Sequence, residues 1–176
     1  IDWLENDPSM YDLGNFVLEQ ALWDSKLFLQ QNPDFFINVN VSAKQLERPD
    51  FCRVVLELLD KTEFPVRHLC LEITERCRSL PVSVINERMA VLRGYGIKFA
   101  MDDFGTGSSS SAMALEMLID EIKIDMSFIR KILVNKKNKA IVQSMVDFAN
   151  AANIKSCLEG VENKALEDYL RTVGAT

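Results

Sequence analysis

Histidine is almost missing from this chain: His68 stands alone among 176 residues. A Ser-His or Cys-His nucleophilic pair therefore has little to be built from. His68 precedes an apolar run rather than ending one, and it reads as structural. The four cysteines, Cys52, Cys70, Cys77 and Cys157, contain no C-x-x-C spacing, which argues against a structural zinc centre. Cys70 and Cys157 lie in strand-like apolar runs and read as core, so a reducing, cytoplasmic compartment is the expectation. No G-x-G-x-x-G or Walker-type phosphate loop occurs. No apolar run approaches the roughly 20 residues of a membrane span, and no signal peptide is expected. Lysine and arginine form no track for a phosphate backbone, and the net charge is −6. Both facts argue against a nucleic-acid duplex as partner. The only basic run, Asn135-Lys136-Lys137-Asn138-Lys139, reads as a solvated loop between helices.

What is present is an ordinary globular composition, 48% apolar and 26% charged, in a length that suits one domain over residues 1–176. The start at Ile1 suggests an excised segment of a longer protein. Along the chain, helical spacing and apolar runs alternate. Helical spacing is predicted over Leu13 to Gln30 (through Leu13, Phe16, Val17, Gln20, Ala21 and Trp23), Phe51 to Leu59, Val84 to Leu92, Ala112 to Leu118, Ser127 to Val134, Ala140 to Ala152 and Ala165 to Leu170. Strands are predicted over Phe35 to Val41, His68 to Ile73, Ile97 to Met101, Glu121 to Ile124 and Ile154 to Leu158. Such alternation implies a mostly parallel α/β sheet. The serine run Ser108 to Ser111 has no base near it and reads as loop.

Each predicted strand delivers a polar, mostly acidic residue at its carboxyl end: Asn40, Glu72, the pair Asp102-Asp103, Lys123 with Asp125, and Glu159. An open doubly wound sheet would spread these along a row. A (β/α) barrel would gather them on one face, and that architecture is favoured. An isolated Asp or Asn after a strand is often only a helix cap; a set this consistent is not explained by capping. Adjacent carboxylates repel unless a cation or solvent compensates them. Oxygen donors without Cys or His select hard cations. A lysine inside an apolar run, Lys123, is costly unless it faces carboxylates. Metal-assisted attack of water, helped by carboxylates and one lysine, is the chemistry that remains.

The segments INVNVSAKQL, LEITE, MDDFGTGSSS, DEIKIDMSFI and LEGVE resemble, in order, blocks of the EAL domain family, bacterial phosphodiesterases that linearise cyclic di-GMP. The intervals agree as well: 32 residues from Asn40 to Glu72, 30 to Asp102, 21 to Lys123 and 36 to Glu159. The resemblance implies a modified TIM-type (β/α)8 barrel and hydrolysis of cyclic di-GMP to linear pGpG, with Mg2+ or Mn2+, two ions in all. It implies Asn40, Glu72 and Asp102 as ligands of one ion, and Asp102, Asp103 and Glu159 as ligands of the other. Lys123, Glu159 and Asp103 would be catalytic, with Lys123 holding the attacking water. Glu75 would steady the loop after the aspartate pair. Phe104, Gly105, Thr106 and Gly107 in that loop would serve substrate binding and dimerisation. A homodimer and attachment to sensory or GGDEF domains, with a tether to a membrane protein, are the partners such a module implies.

The chain also departs from the pattern. The family's Glu-Ala-Leu strand, which carries a metal-ligating Glu and a nearby phosphate-contacting Arg, is not in the sequence, nor is the C-terminal Gln-Gly-Tyr block. The expected barrel is therefore incomplete here, lacking its opening strands and its closing one. Ser108 stands where the family has Tyr, Met126 where it has Arg, and Leu158 where it has Ala. Two other functions consequently stay open: a catalytically inactive EAL-like receptor for cyclic di-GMP, and a protein-interaction domain.

Overall fold

The structure is a computed structural model and describes residues 7, 9–74, 77, 80–107 and 110–175. Its contacts divide the chain into two compact units, Ile1–Phe99 and Ala100–Thr176. The predicted alternation is observed, with five strands and eight helices among the described residues.

The first unit runs α1 (Ser9–Gln31), β1 (Ile37–Asn40), α2 (Ala43–Glu47), α3 (Phe51–Thr62), a 3-10 turn (Val66–His68), β2 (Leu69–Thr74) and α4 (Val82–Gly94). β1 and β2 pair in parallel, with Asn38 opposite Cys70 and Asn40 opposite Glu72. Side chains alternate across a strand, so Asn38, Asn40, Cys70 and Glu72 share one face. The other face, Val39, Leu69, Leu71 and Ile73, is apolar and buried. Burying each such side chain stabilises the fold by about 1.5–3 kcal/mol. α4 buries Ile85, Met89 and Leu92 and stops where Gly96 takes a φ of 99°, as the glycines there predicted.

Three expectations change in this unit. α2 was not foreseen, although Ser42-Ala43-Lys44-Gln45 is a capping-box sequence: Ser42 Oγ accepts from Gln45 N at 3.2 Å, and Gln45 Oε1 accepts from Ser42 N at 3.1 Å. Gln45 also seats against α1, where a Cβ on Gly14 would meet its amide. On α1 the predicted stripe is not the buried one. Leu18, Leu22 and Ser25 are buried, while Leu13, Phe16, Val17 and Trp23 are exposed. Spacing alone does not say which of two apolar faces meets a neighbour. Finally, Glu72 lies inside β2 rather than ending it, buried to 3% exposure.

The second unit carries β3 (Lys98–Phe104) from Ala100 onward, α5 (Ser110–Glu116), β4 (Glu121–Ile124), α6 (Met126–Ile129), α7 (Lys136–Ala151), β5 (Lys155–Leu158) and α8 (Lys164–Leu170). β3 pairs with β4 and β4 with β5, all parallel. α7 packs on β4 and β5 through Val142, Val146 and Ala149. Ser110 and Ser111 open α5 instead of lying in a loop; Ser108 falls outside the described residues. The basic run is likewise not a loop. Asn135 caps α7 by accepting from Lys137 N at 2.9 Å and Asn138 N at 3.4 Å, so its lysines form the first helical turn. The cap outweighs the unfavourable placement of cations at a helix N-terminus.

His68 is structural, as expected. Its Nε2 accepts from Arg67 Nε at 3.0 Å, which leaves Nδ1 to donate to the Phe35 carbonyl at 2.6 Å.

Candidate active site

In β3 the aspartate pair does not end the strand; it interrupts it. Met101 pairs with Ile122 and Phe104 with Ile124, and the register shifts between them. Two residues, Asp102 and Asp103, therefore stand opposite one, Lys123. That is a β-bulge, which breaks the alternation of faces and re-aims side chains. Asp103 takes a φ of 54°, a left-handed backbone that costs most L-residues about 1–2 kcal/mol and that Asp tolerates best. The bulge is tied down locally: Asp103 N donates to Asp102 Oδ1 at 3.0 Å.

Lys123 meets the bulge from β4. Its neighbours Ile122 and Ile124 are fully buried, so alternation sends the lysine to the opposite, acid-bearing face. Nζ lies 2.7 Å from Glu159 Oε1 and 3.4 Å from Asp102 Oδ1. Glu159 reaches it because its N–H donates to the Ile124 carbonyl at 3.2 Å, continuing the β4–β5 ladder one residue past the strand. The three side chains are 14%, 17% and 29% exposed for Lys123, Asp102 and Glu159. The paired ammonium expected for a lysine in an apolar run is thus observed. Asp125, placed by its sequence at the same strand end, instead caps α6 by accepting from Ser127 N at 3.0 Å. Hydrogen bonding to Ser127 holds its carboxyl below the usual carboxylate range.

After the bulge the chain turns at once. Thr106 N and Oγ1 donate to the Asp103 carbonyl at 3.2 and 2.9 Å. Phe104, expected in the loop, closes β3. It is 1% exposed and stacks on Phe148 of α7 with ring centroids 5.9 Å apart, so it anchors the loop. Thr106 and Gly107 are exposed. Gly105 has a φ of 96°, and a Cβ there would collide with Met145 Cε and lie 3.1 Å from Phe128 Cε2. Gly105→Ala is therefore expected to destabilise by about 2–4 kcal/mol, combining backbone strain and overpacking. Adding Met145→Ala should recover the overpacking part only. Chemical denaturation of both variants measures the split.

In the first unit, Asn40 sits at the end of β1, exposed, opposite Glu72 in register. Glu72 Oε1 accepts from Asn38 Nδ2 at 2.7 Å. Asn38 was not singled out from sequence, although its period-2 spacing from Asn40 marks a shared face. Glu75 lies outside the described residues.

Among the described residues no three His, Cys, Asp or Glu side chains converge closely enough to close a metal site alone. The donor chemistry nonetheless fits a hard divalent cation completed by water or substrate phosphate. Every donor is oxygen, and the Asn38 Oδ1 is buried without a hydrogen-bond partner among the described residues. Magnesium is commonly held in this way, by a few protein oxygens.

The fold is a parallel α/β arrangement in which Lys123 of β4 sits against the acids Asp102 and Glu159. The sequence matches the EAL domain family over residues 2–176, and the chain belongs to that family. It is 32% identical over 155 residues to the cyclic di-GMP phosphodiesterase PdeA of Borreliella burgdorferi, covering 88% of this chain and 23% of PdeA. It superposes on the EAL enzyme Bd1971, solved with cAMP and cyclic di-GMP bound, with a TM-score of 0.93 at 32% identity, covering 99% of this chain and 49% of that one. The PaMucR phosphodiesterase in complex with cyclic di-GMP matches with a TM-score of 0.90 at 29% identity, over 99% of this chain and 71% of that one. The fold is accordingly the expected α/β type of the EAL domains, a TIM-type barrel of which this chain holds part. Among the described residues no helix is long and apolar enough to cross a membrane.

Proposed function

We propose that this domain serves a metal-dependent phosphodiesterase that opens cyclic di-GMP to linear pGpG in bacterial second-messenger signalling. The observation that carries the reading is the bulge: two adjacent acids set against Lys123, which also holds Glu159. In this reading Asn40, Glu72, Asp102, Asp103 and Glu159 hold two Mg2+ or Mn2+ ions. When bound, such ions lower the pKa of water and stabilise charge on the phosphodiester oxygens. Lys123 lies against the acids with its ammonium fixed, ready to orient the attacking water and to balance charge growing on the phosphate. Glu75 and the loop Gly105 to Gly107, anchored by Phe104, complete the set, the latter by shaping the substrate side. A homodimer and fused sensory or GGDEF domains belong to the same proposal; the chain spans 23% of PdeA.

The experiment is incubation of the full-length protein with Mg2+ or Mn2+ and cyclic di-GMP, with chromatography for pGpG. Product is expected. Tight binding without product would instead support a receptor, a second reading favoured by the exposed Met126 where the family has Arg.

A further inference from the structure

Asn38 is the polar residue of the β1–β2 face that the phosphodiesterase set leaves out. Its Nδ2–H donates to Glu72 Oε1 at 2.7 Å, and Glu72 is 3% exposed. A carboxylate that buried is held in one orientation by such a bond, and a charge-assisted bond of this length is strong. The other end of the same amide has an opposite character. Oδ1 is buried and finds no hydrogen-bond partner among the described residues. Leaving a buried acceptor unsatisfied costs about 1–3 kcal/mol, so native structures normally fill such a position with water or an ion. Swapping O and N of the amide is no remedy, because it would set Oδ1 against the Glu72 carboxylate.

We propose that Asn38 is a positioning residue of the cation site: its N–H fixes the Glu72 carboxylate in the orientation in which Glu72 helps to hold a divalent cation. The inference rests on the metal-dependent reading above but not on its substrate. Ala or Val at this strand position could not hold the carboxylate in this way. Residues that orient a metal-ligating side chain typically change metal affinity by about 10–100-fold when replaced.

The test is Mn2+ binding by the full-length protein, read by the electron paramagnetic resonance of free Mn2+. Asn38→Ala is expected to weaken binding by about tenfold or more, with an unchanged circular dichroism spectrum. Asn38→Asp places a second carboxylate beside Glu72. Its thermal midpoint is expected to drop in chelator and to rise on Mn2+ addition by more than the wild-type midpoint does. An Asn38→Ala affinity within twofold of wild type, a wild type that binds no Mn2+, or an Asn38→Asp midpoint indifferent to Mn2+ would each overturn the proposal. Weakened Mn2+ binding in a protein that makes no pGpG would sustain it while refuting the phosphodiesterase reading.

Discussion

Asp102→Asn is expected to leave the fold standing and turnover lost, by about a thousandfold or more in kcat. The substitution keeps the shape and keeps Oδ1. The bond from Asp103 N to Oδ1, 3.0 Å long, therefore survives, and with it the bulge. Lys123 keeps its closer partner, Glu159, at 2.7 Å. What disappears is one unit of negative charge at the position where two acids of β3 face one residue of β4. A neutral amide binds a hard cation far less well than a carboxylate, and the proposed set relies on Asp102 for both ions. Denaturation should accordingly move by no more than about 1 kcal/mol, while pGpG formation vanishes. Wild-type turnover in this variant would refute the metal assignment; collapse of the fold would show that the carboxylate serves structure instead.

The contrast between charge and shape at Asp102 also marks where the sequence is readable. The acids, the lysine and their strand context are written in the local pattern. β4 was expected at Glu121 to Ile124 and lies there, because Ile122 and Ile124 bracket a lysine at period 2. The bulge is not local. Nothing in Met101-Asp102-Asp103-Phe104 says that Phe104 skips forward to pair with Ile124, since register belongs to two strands together. For the same reason Phe104 reads as loop yet lies in the core against Phe148. The buried face of α1 was misjudged because Leu13, Phe16 and Val17 outnumber Leu18 and Leu22 in apolar bulk, and only a neighbouring element decides between faces. Asn38 escaped notice for a different reason. Strand-end polar residues attract attention, while its significance comes from Glu72, a residue 34 positions away.

Lys123→Ala should be the more revealing substitution, because the bridge it removes has two functions that metal can separate. The ammonium neutralises Asp102 and Glu159 at 3.4 and 2.7 Å, all three being less than a third exposed. Without it two poorly solvated carboxylates face one another uncompensated. Partial exposure keeps the cost below that of a fully buried broken pair, so about 1–3 kcal/mol is expected, or a midpoint lower by about 2–12 °C for a domain of this size. A divalent cation can stand in for that lost charge. Millimolar Mg2+ or Mn2+ is therefore expected to raise the midpoint of the Ala variant by more than it raises that of wild type. Turnover should not return with the stability, because no added ion restores a fixed donor on β4; a loss of about 100–1,000-fold is expected to persist. Lys123→Arg sharpens the distinction. It keeps the charge, and so should keep the midpoint in chelator, but its planar fork cannot reproduce the point donor and should still lower kcat. If the Ala variant hydrolyses cyclic di-GMP like wild type, Lys123 is a structural counter-ion and nothing more. If divalent cations leave its midpoint unmoved, the acids around it do not form a cation site.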